Sequence, residues 1–146
     1  MTNLVVDSSV AVKWFVVEPY AAAARKILDA YRNGLISFLA PGLINAEFGN
    51  IIWKKHVFQG LAASDAQSIV DDFRALPFTF VPTATLLDAA YKLAVKHQRT
   101  VYDSLYLALS LREGCQFVTA DERFVNALGS SFPSIVWVAN GHRRKP

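Results

Sequence analysis

Cysteine is nearly absent from this 146-residue chain. Cys115 is the only one, so no internal disulfide can form, and its place beside an apolar stretch marks a buried, inert thiol rather than a nucleophile. Histidine is scarce as well, and the three present follow no zinc-site spacing. His56 and His97 lie near expected helix ends, where the helix dipole accounts for them, and His142 lies in the tail. No apolar run approaches the roughly 18–20 residues that span a bilayer, and the N-terminus lacks a basic segment followed by an apolar signal core. These absences lead to the expectation of a cytoplasmic protein with no membrane partner. Repeats, low-complexity tracts and linker-like stretches are also missing. The expected organisation is therefore a single domain over 1–146, with 141–146 a basic C-terminal tail.

What is present is ample material for one core: 53% of the residues are hydrophobic and 12% aromatic. Leu4 to Val6 is a short apolar run ending in Asp7-Ser8-Ser9, a buried strand leading into a helix N-terminus. Val10–Phe15 then reads as helical, and Tyr20–Tyr31 as an alanine-rich helix stopped at Asn33-Gly34. Ser37–Ala40 is short and apolar. Pro41 is expected in the first turn of a helix running to about Phe58, with Gly60 ending it and Ser64-Asp65-Ala66-Gln67 supplying a capping box for the next. Phe78–Val81 reads as a strand, Thr85–His97 and Val101–Arg112 as helices, Gln116–Val118 as a strand, Asp121–Leu128 as a short capped helix and Ile135–Val138 as a last strand. Strands alternating with helices predict an α/β fold with a mostly parallel sheet covered on both faces, whose functional groups collect at strand C-terminal ends.

Charge is distributed unevenly over this plan. The net charge is only +3, yet Asp7, Glu47, Asp103 and Asp121 each interrupt an apolar segment, which leaves the rest of the surface decidedly basic. Asp7 and Asp121 are both explicable as helix N-caps, worth roughly 1 kcal/mol each. Glu47 is harder to explain locally, because Leu43, Ile44 and Ile51 share its helix face and neither Lys54 nor Lys55 stands at the ideal pairing distance along the helix. Asp103 opens a helix in which Leu105, Tyr106, Leu107, Leu109 and Leu111 make almost every direction apolar. A first-turn Asp gains about 0.3–1 kcal/mol from the helix dipole, less than the several kcal/mol lost on burying an uncompensated charge. Several carboxylates gathered in a fold either hold protons at raised pKa or share a cation, and oxygen-rich clusters suit Mg²⁺ and Mn²⁺. By contrast Asp29, Asp65, Asp71, Asp72 and Asp88 occupy ordinary polar helical positions.

The segments Val5-Val6-Asp7-Ser8-Ser9, Asn45-Ala46-Glu47-Phe48, Tyr102-Asp103-Ser104-Leu105-Tyr106-Leu107-Ala108 and Val118-Thr119-Ala120-Asp121-Glu122-Arg123-Phe124 together resemble the PIN-domain ribonucleases, in particular the VapC toxins of toxin–antitoxin pairs. The resemblance implies a three-layer α/β/α PIN-like fold around a five-stranded sheet. It further implies a Mg²⁺- or Mn²⁺-dependent endoribonuclease, a homodimer, held inactive by a cognate VapB-type antitoxin. By position Asp7, Glu47, Asp103 and Asp121 match the family's acidic site residues, with Asp7, Asp103 and Asp121 as metal ligands and Glu47 reaching the metal through water. Thr119 matches the accompanying hydroxyl, and Ser8 and Asn50 are candidate hydrogen-bonding supports behind the ligands. Lys13, Arg123, Arg143 and Arg144 are candidates for guiding an RNA backbone. Trp14, Trp53 and Tyr106 are available for base stacking if exposed, with core packing the favoured reading.

Phosphodiester hydrolysis needs an activated water and relief of negative charge, both of which a carboxylate-held divalent ion supplies, so no side-chain nucleophile is required. An antitoxin Arg or Lys would find a natural partner in the same acidic pocket. Two other readings compete. A PIN-like domain that binds RNA without cutting it would keep the same fold. An aspartyl-phosphate phosphotransfer domain would use Asp7, although Ser9 stands where dehalogenase-type chemistry wants a second Asp.

Overall fold

The computed structural model describes residues 2–141. The first strand, β1 (Thr2–Val6), is followed by α1 (Ser8–Ala11), a 3₁₀ turn at Val12–Trp14, α2 (Ala21–Arg32) and β2 (Ile36–Pro41). Next come α3 (Leu43–Gln59), α4 (Ala63–Ala75), β3 (Thr79–Val81), a 3₁₀ turn at Thr83–Leu86, and the helix pair α5 (Leu87–His97) and α6 (Val101–Glu113). The described chain closes with β4 (Gln116–Thr119), α7 (Glu122–Leu128), β5 (Ile135–Trp137) and a 3₁₀ turn at Val138–Asn140. Among the described residues no helix is long and apolar enough to cross a membrane.

The strands form one five-stranded sheet in the order β3-β2-β1-β4-β5, and all four pairings are parallel. Parallel neighbours need a crossover between them, which the intervening helices supply. Leu4, Val5 and Val6 are all buried, and so are Phe38, Leu39 and Ala40 in β2. Burial on successive residues, not alternate ones, means that both sheet faces are covered, as the expected three-layer α/β/α arrangement requires. β1 lies in the middle of the sheet. The chain moves outward through β2 and β3 on one side and then through β4 and β5 on the other, so the order of strand addition reverses between β1 and β4. This switch point opens a crevice at the strand C-terminal ends.

An aromatic core braces the β2 side. Phe38 stacks with Trp14 and Tyr31 at centroid separations of 4.9 Å each, and with Phe78 at 5.2 Å. The Trp14 indole N–H, which burial would otherwise strand, donates to the Ala24 carbonyl at 2.9 Å. On the other side α6 packs against β1, β2 and β4, with Leu107 and Leu109 fully enclosed. α6 is thus a central helix with an apolar, buried middle, and Asp103 sits in its first turn.

Two local expectations fail. Pro41 ends β2 instead of opening α3, which starts at Leu43. Its missing N–H is harmless there, because the pairing of β2 with β1 has already ended at Val5↔Leu39 and the next amide, Gly42, donates to Val81 O at 2.9 Å. The capping box at Ser64–Gln67 does not form either. α4 begins at Ala63, its N-cap Ala62 has no side-chain cap, and Gln67 instead donates to Asp71 at 3.0 Å along the exposed helix face. By contrast Gly60 does end α3, at φ +75°, and Gly114 ends α6, at φ +63°, both in the left-handed region that a side chain disfavours.

Candidate active site

The switch-point crevice is built first by β1 and β4. Their register pairs Val6 with Val118, which places Asp7, the first residue after β1, beside Thr119, the last residue of β4. Asp7 is the N-cap of α1, its Oδ1 accepting from the Val10 amide at 3.2 Å. The same oxygen accepts from the Ser9 hydroxyl at 2.5 Å, and Oδ2 accepts from the buried Thr119 hydroxyl at 2.5 Å. Each hydroxyl in turn takes a backbone amide of the loop after β4: Ser9 Oγ from Ala120 at 3.0 Å, and Thr119 Oγ1 from Asp121 at 3.0 Å. Two hydroxyls therefore clasp the Asp7 carboxylate to the loop that carries Asp121. Asp121 is itself the N-cap of α7, accepting from the Phe124 amide at 3.2 Å.

The other two acids arrive on helices. Glu47 projects from α3 and accepts a hydrogen bond from the Tyr106 hydroxyl of α6. Asp103 lies in the first turn of α6, whose N-cap Thr100 accepts from the Asp103 amide at 3.1 Å. All four acids are partly buried, and they feel one another as a string. Burial chiefly lifts the Asp7 carboxyl from its ordinary 3.8 to about 6; hydrogen bonds from Ser9, Thr119 and the Val10 amide oppose the rise, and the charge of Glu47 adds to it. Burial likewise raises Glu47 against the Tyr106 hydrogen bond, with Asp103 adding to the rise. Asp103 is raised by burial against its contact with Thr100; Asp121 pushes it further up and Arg99 pulls it down. Tyr106 is driven far above the ordinary phenol value by burial and by Glu47, Asp7 and Asp103, so its hydroxyl keeps its proton.

None of the four carboxylates takes part in an ion pair among the described residues. The alternative pairing of Glu47 with Lys55 is not made: Lys55 Nζ lies 2.8 Å from Glu18, which also holds Lys13 at 3.2 Å. No three His, Cys, Asp or Glu side chains among the described residues close around one point as a metal cage. The donor chemistry nonetheless fits a hard divalent ion. Mg²⁺ is ordinarily bound through one or two carboxylates, with water and phosphate oxygens completing its shell, and a cation beside these acids would favour their charged forms.

The supporting residues divide. Thr119 contacts Asp7 as its position implies. Ser9, not Ser8, makes the hydroxyl bond to Asp7; an N-cap Asp with a Ser two residues on is the local signal that points to it. Asn50 is exposed and hydrogen-bonds none of the four acids. Lys13 is only 12% exposed in its side chain and committed to Glu18, which Lys55 ties to α3, so Lys13 is not free to meet a phosphate. Arg123 is exposed on α7, and Arg143 and Arg144 lie outside the described residues. Arg99, four positions upstream, has no sequence signal that marks it for the site, yet its charge acts on Asp103. Among the aromatics Trp14 and Tyr106 are buried, and Trp53 is 52% exposed.

Comparison with known proteins bears on the family and the fold. The family model described as "PIN domain" matches residues 4–128, a span that contains all four acids. Ribonuclease VapC3 of Pyrobaculum aerophilum is 31% identical over 139 residues, covering 92% of this chain and 98% of its own length. Among solved structures, PAE2754 from Pyrobaculum aerophilum superposes with a TM-score of 0.60 at 22% identity, covering 94% of this chain and 90% of that one. VapBC2 from Rickettsia felis, bound to a DNA fragment from its promoter, superposes with a TM-score of 0.64 at 14% identity, covering 93% and 97%. The two structural likenesses show the fold, while the family model and the relative of matching length show the lineage: this chain belongs to the PIN-domain family, among its VapC-type members.

Proposed function

We propose that this chain is a single-domain, cytoplasmic endoribonuclease dependent on Mg²⁺ or Mn²⁺, acting as the toxin of a VapBC-type pair. The observation that carries the reading is the convergence of Asp7, Glu47, Asp103 and Asp121 from four separate elements on one crevice, partly buried and without a cationic partner among the described residues. Asp7, Asp103 and Asp121 would hold the ion, with Glu47 reaching it through water. When bound, a divalent ion lowers the pKa of water and offsets charge on a phosphate. The protein's own part is positional. The Ser9 and Thr119 clasp fixes Asp7 relative to Asp121, the first turn of α6 sets Asp103, and Arg99 with the exposed Arg123 lends positive charge to a rim that a polyanion must cross. The same unpaired carboxylates would accept an Arg or Lys from a VapB-type antitoxin.

Purified, antitoxin-free protein is expected to cut RNA with Mg²⁺ or Mn²⁺, to stop with chelator, and to stop in folded Asp103→Asn. Cutting that continues unchanged in that variant refutes the assignment. Tight RNA binding without any cutting would favour the non-catalytic alternative. The phosphotransfer alternative is disfavoured by Asp7 itself, since hydroxyl donors occupy both of its oxygens, although acyl-phosphate labelling of Asp7 would revive it.

Homodimerisation is supported by α5, where Leu87, Tyr91 and Val95 recur every four residues and are 52%, 58% and 62% exposed. Asp88 stands at the start of that helix, and Lys92, Lys96 and His97 follow toward its end. Two copies of α5 packed antiparallel about a two-fold axis would set acid against base while burying the stripe.

A further inference from the structure

Tyr106 is buried to 2% exposure in the middle of α6, and ordinary core packing explains its ring: it lies nearly parallel to Phe117 of β4, at an interplanar angle of 12° and a centroid separation of 5.7 Å. Packing does not explain the hydroxyl. A buried phenol needs a partner, and this one donates to Glu47, 59 residues away on α3, while also lying within electrostatic reach of Asp7 and Asp103. It is the neutral donor among carboxylates that otherwise repel one another. Among the described residues no cation forms an ion pair with Glu47, and Lys55 is taken by Glu18. The two partners also differ in freedom. The Tyr106 ring is locked between helix and sheet, so its oxygen has a fixed place, whereas a Glu side chain on a helix surface samples many rotamers.

We propose that Tyr106 is a positioning residue of this pocket: its buried hydroxyl holds the Glu47 carboxylate toward Asp7 and Asp103, so that an arriving divalent cation meets Glu47 already in place. The inference rests on the metal-dependent reading above and names the device that preorganises its most mobile acid. Supports behind metal-binding groups commonly account for about 10–100-fold in affinity or rate. Tyr106→Phe removes one oxygen and keeps the ring, so the stacking on Phe117 survives.

The test is a double-mutant cycle read by Mn²⁺ binding on the full chain, using wild type, Tyr106→Phe, Glu47→Ala and the double variant, with unchanged near-ultraviolet circular dichroism as the fold control. Tyr106→Phe is expected to weaken Mn²⁺ binding about 10-fold or more, and the same change is expected to have no further effect once Glu47 is gone. In RNA cleavage, the Tyr106→Phe loss should appear in kcat at saturating substrate, with KM nearly unchanged. Wild-type Mn²⁺ affinity in Tyr106→Phe, or an equal loss in both backgrounds, overturns the proposal while leaving the nuclease reading intact. A coupled loss of Mn²⁺ binding in a wild-type protein that cuts no RNA upholds Tyr106 and removes the nuclease reading instead. Wild-type protein that binds no Mn²⁺ overturns both.

Discussion

Asp7→Asn should damage function and strengthen the fold at the same time. In the metal-free protein the Asp7 carboxyl titrates at about 6, against an ordinary 3.8, because burial outweighs the hydrogen bonds it accepts from Ser9, Thr119 and the Val10 amide. The native state therefore binds this proton more tightly than the unfolded chain does. Stability falls as pH rises from about 3.8 to about 6 and then levels off, with the penalty fully present at neutral pH and absent below the unfolded value. At about 1.4 kcal/mol per pH unit that interval amounts to ~3 kcal/mol, an upper bound because Asp7 keeps a partly exposed face. Asparagine removes the charge but offers one acceptor oxygen where Asp offers two, so either the Ser9 or the Thr119 hydroxyl must turn away, a loss of about 1 kcal/mol. The net gain expected at pH 7 in chelator is about 1–2 kcal/mol, or roughly 3–8 °C in Tm for a chain of this size. Differential scanning calorimetry across pH 3.5–7 measures it, with the gap between variant and wild type closing at the acid end. Saturating Mg²⁺ should stabilise wild type more than the variant, since a ligand stabilises only the state that binds it. RNA cleavage by the variant should fall by more than about 100-fold, beyond the range typical of groups behind the ligands. A variant less stable than wild type at pH 7 without metal, or a gap unchanged down to pH 3.5, would refute this account of the buried charge.

Thr119→Val should cost about 1–3 kcal/mol in urea denaturation, because it leaves the Asp121 amide without its acceptor and Asp7 Oδ2 without its donor, whereas Thr119→Ser should be nearly neutral; equal stability of Val and wild type would break the clasp argument. Burial alone would raise Glu18, but Lys55 and Lys13 hold it below its usual 4.5. Its contribution is thus present at neutral pH and fades as acid titrates it below that value, and Lys55→Met should remove up to about 1 kcal/mol of it, seen as a flatter acid limb in the stability profile. Tyr91→Glu, in the exposed α5 stripe, should shift sedimentation from dimer to monomer without lowering helix content; an unchanged dimer would move the interface elsewhere.

Much of the element plan can be read from the chain, because its signals are local. Gly60 and Gly114 stop helices where the backbone turns left-handed, and Asp7 and Asp121 cap the helices that follow their strands. Where the structure departs from this plan, long-range pairing outranks a local preference at Pro41, while at Ser64 the helix simply starts one residue sooner. Pro41 suits a first helical turn, yet its strand neighbours carry the sheet one residue further. Ser64 suits a cap, yet α4 begins earlier on Ala63.

The same division governs the site. The four acids stand out in the sequence by themselves, because a charge inside an apolar segment must be compensated by something, and that holds whatever the fold. Which groups support them depends on sheet register and helix packing. Ser9 and Thr119 meet at Asp7 only because β1 lies beside β4, and Tyr106 reaches Glu47 only because α6 packs under the crevice that α3 borders. Lys13 reads as a free cation until it is seen to share Glu18 with Lys55. Residue type and spacing set which chemistry the chain can hold, but hydrogen bonds act over about 3 Å, and only the folded chain decides which side chains come that close.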